Sequence, residues 1–232
     1  MNNMPFDEQI KALSKISKAI VSDFYLDDIL RLIVTVTAEM MNSKICSLML
    51  LNENNELIIR ATQSISEEYN KKPPLKSGEG IAGKAAQTNQ PIIIKDVKKE
   101  KEYKYSSIAK KEKLCSLLCV PLAVKGKVIG VLNCYTTSPH DFSETEVNML
   151  TTVANQGAIA IENAQLMMQS RVIQEELEAR KKIERAKGIL MKQEKISEEE
   201  AYTRLRKCSM NMRKTMREIA EAIILAQDFH NK

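Results

Sequence analysis

The sequence predicts an α+β fold that divides at Pro139, with a mixed unit built on β-hairpins first and an all-helical unit after it. Three observations carry this reading. All six prolines and five of the seven glycines lie at or before Pro139, and no proline follows through Lys232. Proline breaks helices and glycine weakens them, so the second part is free to be helical throughout. Short apolar runs bounded by turn-forming residues occur only in the first part, where they read as strands. Beyond Pro139 the apolar residues advance mainly by threes and fours, the spacing of one helix face.

The elements follow in order. Ile10, Leu13, Ile16 and Ile20 set an amphipathic helix over roughly Phe6 to Val21, and Ile29, Leu32, Ile33, Val36 and Met40 set a second over about Leu26 to Met41. Strands Ile45 to Leu51 and Leu57 to Thr62 flank the polar connector Asn52 to Glu56 and form a hairpin. Gly78, Gly80 and Gly83 match the spacing of a nucleotide-phosphate loop. No βαβ unit surrounds them, so they read as a tight turn into a short helix ending near Thr88. Pro91 to Ile94 is a short strand, and a lysine-rich loop over 95–113 follows. A second hairpin joins Leu114 to Val124 with Val128 to Thr136 through Lys125-Gly126-Lys127.

Ser143 and Glu146 form a capping box that opens one long helix, running to about Lys192. Its seam is Val147, Leu150, Val153, Ala154, Gly157, Ile161, Ala164, Met168, Val172, Ala179, Ile183, Ala186 and Leu190. At 1.5 Å per residue such a helix extends on the order of 75 Å, so its middle needs cover from another helix. A parallel homodimeric coiled coil over 143–179 is the expected cover, with the two N-terminal helices as an alternative shield.

Composition sets the class. A formal net charge of +5, 44% apolar and 28% charged residues are ordinary for a globular protein. No apolar run reaches the ~18 residues of a membrane span, and charges interrupt Met1 to Asp28 too often for a signal peptide, so a cytoplasmic protein is expected. Cys46, Cys115, Cys119, Cys134 and Cys208 are odd in number and form no CxxC pair, which argues for reduced, buried thiols rather than disulfides or zinc. Cys115 and Cys119 fall within the expected strand Leu114 to Val124, on one face. His140 and His230 lie far apart, and no nucleophile–base–acid set occurs, so no catalytic residues, metal or cofactor are expected and the chain reads as a non-enzyme.

Charge is concentrated near the C-terminus. Ala201 to Arg217 holds six Lys or Arg and no Asp or Glu, and Arg180, Lys181, Lys182, Arg185 and Lys187 form a second cluster upstream, with Glu198, Glu199 and Glu200 between them. Basic faces on a small helical unit point to a polyanion. Ala201, Leu205, Cys208 and Met212 share one apolar stripe, and Met216, Ile219, Ala220 and Ile223 share another. The candidate contact residues lie outside those stripes: Arg180, Lys182, Arg185, Lys187, Arg204, Arg206, Lys207, Arg213, Lys214 and Arg217. Arg204 and Lys207 are helical neighbours, as are Arg213 and Arg217, and each pair reaches adjacent phosphates. Tyr202, the lone aromatic of this helix, is expected to face the core.

Two stretches resemble known families. SGEGIAGKAAQTNQPIIIKD at Ser77 to Asp96 and SLLCVPLAVKGKVIGVLNCY at Ser116 to Tyr135 resemble the GAF domain, a likeness that covers roughly residues 6–168 and assigns 1–168 to a sensor unit. The resemblance implies an antiparallel sheet flanked by helices and, in many members, a pocket for a small-molecule effector. The chain lacks the Asn-Lys-Phe-Asp-Glu pattern of cyclic-nucleotide-binding members, and no cysteine is followed by His as at bilin attachment sites. Segment 95–113 falls where the family closes its pocket; its eight lysines, four acids and two tyrosines suit an anionic effector or a surface loop equally.

Arg180 to Ala226, with Ala186-Lys187-Gly188-Ile189-Leu190-Met191 at the end of its first helix, resembles the ANTAR domain, a three-helix RNA-binding module, here 180–232. That resemblance implies that the chain binds RNA hairpins in nascent transcripts, two at once as a homodimer, and so prevents terminator formation. Many such regulators carry a phosphorylated receiver domain. Here Asp27 and Asp28 precede a helix rather than end a strand, so a small molecule or sensor protein is the expected input. Two other readings stand beside this one: a DNA-binding transcription regulator, and a redox enzyme resembling GAF-type methionine sulfoxide reductases.

Overall fold

The structure, a computed structural model, describes Ser14, residues 25–64 and residues 66–230; apart from Ser14, the helix expected over Phe6 to Val21 lies outside the described residues. The chain forms two compact units, Met1–Gln165 and Leu166–Lys232.

The first unit is built on a six-stranded antiparallel sheet. Its strands are β1 (Ile45–Leu51), β2 (Glu56–Thr62), β3 (Leu75–Lys76), β4 (Ile92–Ile94), β5 (Leu117–Val124) and β6 (Lys127–Tyr135), in the order β3-β2-β1-β6-β5-β4. Side chains alternate across a strand, and here both faces are covered. Cys46, Leu48 and Leu50 of β1, Leu118, Val120 and Leu122 of β5, and Leu132 and Cys134 of β6 pack with helix α1 (Leu26–Met41) and the first turns of α5 (Glu144–Glu194). Ile45, Met49, Leu117, Cys119, Val131 and Tyr135 face the other way, against α2 (Glu67–Asn70), α3 (Gly80–Thr88) and residues around α4 (Ser106–Lys111). This double burial explains why β1 and β5 read as continuous apolar runs.

Local signals set the connections. Lys125 (φ 51°) and Gly126 (φ 80°) both take positive φ, the turn that matches the twist of a two-residue hairpin, with Val124 opposite Lys127. Asn52 Oδ1 accepts from the amides of Asn54 at 3.0 Å and Glu56 at 2.9 Å, which closes the first hairpin. Gly83 is required because a Cβ there would run into the Lys76 carbonyl, and Gly78 (φ 86°) and Gly80 (φ 62°) take the left-handed turn into α3. Most boundaries fall within one residue of expectation, and two differences are larger. Segment 95–113 is not a plain loop but contains α4, and β5 starts at Leu117, so Cys115 precedes the strand; it is buried all the same.

Helix α5 opens with the reciprocal Ser143–Glu146 cap, Ser143 N donating to Glu146 Oε2 at 2.8 Å and Glu146 N donating to Ser143 Oγ at 3.3 Å. The cover of its seam changes along its length. Leu150, Val153, Ala154, Ala158 and Ile161 are fully buried in the core shared with α1 and the sheet, and Gly157 lies against Ile33. The N-terminal part of the seam is thus covered within the chain, by α1 and the sheet. Ile161→Asp places an unpaired carboxylate in this core and is expected to destabilise the first unit by about 3 kcal/mol or more, read by urea unfolding. Residues 165–178, by contrast, are all exposed, Leu166, Met168, Val172, Ile173 and Leu177 among them.

The second unit packs the end of α5 against α6 (Glu198–Met212) and α7 (Met216–His230). Ala186, Leu190, Ala201, Leu205, Ile219 and Ala220 form its small core, ringed by Ile183, Ile196, Cys208, Met216, Ile223 and Ile224. Met212 is not part of the stripe: at the last turn of α6 it runs past the end of the core and is 66% exposed.

Candidate nucleic-acid interface and effector cavity

Two capping boxes fix the ends of the helices in the second unit. Ser197 and Glu200 exchange hydrogen bonds at the start of α6, and Thr215 and Glu218 do so at the start of α7. The run Glu198, Glu199 and Glu200 occupies the first turn of α6, where negative charge complements the helix dipole. Arg213 ends α6 in the left-handed conformation (φ 53°), with the Lys214 amide donating to the Ser209 carbonyl at 3.1 Å. Arg213 and Arg217 are therefore not neighbours along one helix, since the chain turns between them.

The basic residues fall into three groups. Lys182 and Arg217 both donate to the Glu221 carboxylate, at 2.7 and 3.0 Å, Arg185 pairs with Asp228 at 2.9 Å, Lys214 pairs with Glu218 at 3.3 Å, and Arg204 pairs with Glu194. These pairs lie at the surface, where each is worth about 0–1 kcal/mol, so a phosphate competes readily for the cation. Lys187 differs. Its side chain is 9% exposed and its ammonium joins Glu198 of α6 at 2.7 Å to Glu184 of α5 at 2.9 Å, contacts that raise its pKa. Lys187 clamps two helices and does not belong to the exposed basic face. Arg180, Arg206, Lys207 and Arg213 are exposed and make no ion pair with any described residue, and the same holds for Lys181.

Tyr202 is 46% exposed, against the expectation that it faces the core. Ala201 and Leu205 take the buried stripe, and Tyr202 lies about 100° round the helix from Ala201. It is four residues from Arg206, on the same side of α6, so an aromatic plane and an unpaired guanidinium share one exposed face. Sequence spacing alone could have placed it there.

The first unit contains a polar cavity over the second face of its sheet. Ser47, Tyr69, Lys72, Tyr103, Asn133 and Tyr135 line it, with the Met49, Leu75 and Ile81 side chains between them, and it encloses about 20 Å³, room for a single water molecule. Tyr69 OH shares a hydrogen bond with Ser47 Oγ at 2.9 Å, and Tyr103 OH donates to Tyr135 OH at 3.2 Å. Tyr69 and Tyr135 meet edge to face, as do Tyr103 and Tyr135. The Lys72 ammonium rests 3.4 Å from the centre of the Tyr69 ring and 5.1 and 5.7 Å from those of Tyr105 and Tyr135. Of these six polar residues the sequence pointed only to Tyr103, as part of segment 95–113; they span Ser47 to Tyr135 and only the fold gathers them.

Burial pushes the Lys72 ammonium down to about 7, opposed only by the field of Glu112. Burial likewise holds the phenols of Tyr103 and Tyr105 up at about 12, and those of Tyr69 and Tyr135 above the usual range, so these neighbours stay neutral while Lys72 titrates. An unfolded lysine titrates near 10.4, so between pH 7 and about 10.4 the unfolded chain binds the extra proton and native stability rises with pH. Below pH 7 the cost of the buried charge is present in full. Lys72→Met is therefore expected to stabilise the protein by about 1–3 kcal/mol at pH 6 and to lose that advantage by pH 10, read from urea midpoints at the two pH values.

The thiols are placed for packing. Cys46 and Cys134 are cross-strand partners with sulfurs 3.0 Å apart, and burial raises the pKa of Cys134 and Cys119 well above the usual thiol range, which suppresses the nucleophilic thiolate.

The GAF domain profile matches residues 26–162, and the ANTAR domain profile matches residues 171–224. A Nif-specific regulatory protein of Herbaspirillum seropedicae is 26% identical over 194 residues, which is 78% of this chain and 36% of the relative. A phosphoenolpyruvate-dependent phosphotransferase system protein of Escherichia coli is 26% identical over 155 residues, 66% of this chain and 21% of the relative. The chain thus spans well under half the length of these curated relatives. Among solved structures, the GAF domain from a phosphoenolpyruvate-protein phosphotransferase of Coxiella burnetii has a TM-score of 0.63 at 25% identity, covering 72% of this chain and 99% of that one. Free methionine-R-sulfoxide reductase from Neisseria meningitidis, with a TM-score of 0.58 at 20% identity over 68% of this chain and 91% of that one, shares the fold.

Proposed function

The chain belongs to the GAF domain family and carries an ANTAR domain behind it, and from that premise we propose that it is a signal-responsive, RNA-binding transcription antiterminator. It binds hairpins in nascent transcripts through the second unit and thereby keeps a terminator hairpin from forming. The observation that carries the reading is the exposed face of α6, where Arg206 and Lys207 lack carboxylate partners among the described residues and Tyr202 offers a stacking plane beside them. Unpaired cations supply phosphate contacts, and an exposed aromatic supplies the base stacking typical of RNA loops. The likeness to a Nif-specific regulatory protein supports a regulatory role. The buried thiols support binding rather than catalysis.

The protein acts in the cytoplasm as a homodimer joined through residues 165–178 of α5, and its sensor unit responds to a small molecule. No described helix is long and apolar enough to cross a membrane. Helix α5 runs from Glu144 to Glu194, and a rearrangement among the residues that bury its first turns is passed along it to the second unit. Electrophoretic mobility of the purified protein with a hairpin RNA and with a matched DNA duplex tests the function. At least tenfold tighter binding of the RNA is expected; equal or tighter binding of the duplex overturns the reading in favour of a DNA-binding regulator.

A further inference from the structure

The sensor reading leaves open what the cavity over the sheet accepts. Its polar lining is unbalanced. Among the described residues, Lys72 and Lys104 are its only charged lining residues, and no carboxylate lines it. Lys104 is already paired with Glu79 at 3.1 Å, whereas Lys72 has no ion pair with any described residue and lies against tyrosine rings, with only the more distant field of Glu112 acting on it. Asn133, 2% exposed, also lines the cavity and has an unpartnered, buried Oδ1, while its Nδ2 makes only a long 3.5 Å contact to Ser47 Oγ. A buried acceptor without a donor costs free energy in the empty protein, and a donor brought by a ligand recovers it.

Resting on the reading of the first unit as a sensor, we propose that this cavity binds a small organic acid, with its carboxylate against the Lys72 ammonium and a hydroxyl or amino group donating to Asn133 Oδ1. An anion supplies the opposite charge that the lining lacks, and the hydroxyls of Ser47, Tyr69 and Tyr103 line the same cavity as donors for its oxygens. A cationic ligand would meet a tethered cation already seated in the tyrosine cage and no carboxylate to hold it. The enclosed space of about 20 Å³ is too small for the acid while Lys72 lies on the Tyr69 ring. Lys72 is thus both plug and counterion: its flexible stem swings toward the mouth, the acid takes its place, and the ammonium exchanges a ring for a carboxylate. Tyr103 and Tyr105 form the adjoining wall, so the exchange is felt first by segment 95–113.

Isothermal titration of the full chain with lactate, glycolate, propionate, lactamide and choline tests this. Lactate or glycolate is expected to bind measurably below 10 mM (~10⁻² M, about −3 kcal/mol), propionate several-fold more weakly for want of the hydroxyl, and lactamide at least tenfold more weakly for want of the charge. Lys72→Met is expected to lose at least tenfold in lactate affinity, and Lys72→Arg, which keeps the cation, to retain most of it; thermal melts establish that both variants fold. Choline binding in preference to lactate, undiminished lactate binding by Lys72→Met, or no binding of either hydroxy acid overturns the proposal. Acid binding that leaves hairpin affinity unchanged supports the site and counts against the signal-responsive reading. Hairpin affinity that responds to a different additive while neither acid binds overturns the site and leaves that reading standing.

Discussion

Replacing Arg206 and Lys207 together by alanine is expected to weaken hairpin RNA binding by roughly 10- to 100-fold and to reduce the slope of log K against log salt by about 1.4 to 1.8, the change for two lost phosphate contacts. Both side chains are exposed and stand outside the core of the second unit, so the melting temperature should stay close to that of the parent. The paired cations provide the contrast. Alanine at Lys182 or Arg185 removes a cation that must first leave Glu221 or Asp228, so each should cost less affinity than the unpaired pair. Lys187→Ala breaks the tie between Glu184 and Glu198, and its effect should appear as lower thermal stability. Unchanged affinity and salt slope in the Arg206 and Lys207 double variant would show that this face of α6 does not meet RNA.

The second large effect is expected at the exposed stretch of α5. Leu166, Ile173 and Leu177 are spaced by seven and four residues, a coiled-coil spacing, and are 55%, 65% and 51% exposed within one chain. Ile173→Asp with Leu177→Asp sets like charges against each other across a helix pair and should convert a dimer to monomers in sedimentation at micromolar concentration. Each unit should keep its stability, because neither residue belongs to a core cluster. Affinity for a single hairpin should persist, whereas binding to an RNA with two hairpins should fall by about 10²- to 10⁴-fold as the linked second contact is lost. A parent protein that sediments as a monomer in the presence of RNA would remove the basis of this expectation.

Much of this molecule is written in local signals. The two hairpins, the turn at Lys125 and Gly126, the glycine entry to α3 and the Ser143 and Ser197 caps each depend on residues within a few positions of one another, and such short-range chemistry is legible in a sequence. Helical periodicity likewise shows which residues of α5 share a face. It does not show what covers them: Val153 and Ile161 meet α1 and the sheet, whereas Val172, farther along the same stripe, is 48% exposed among the described residues.

The same distinction governs charge and polarity. That the second unit is basic is a property of its composition. Which cations are free was decided by carboxylates far along the chain, Glu221 beside Lys182 and Asp228 beside Arg185, and by the packing that draws Lys187 into a clamp between helices. Tyr202 faces outward because Ala201 and Leu205 win the buried stripe. The cavity goes furthest: Ser47, Tyr69, Lys72, Tyr103, Asn133 and Tyr135 have no common spacing and meet only when β1, β6 and the segments across the sheet close around them. Spacing along the chain determined the elements and their faces; burial and charge depend on distances in space, and those exist only once the chain has folded.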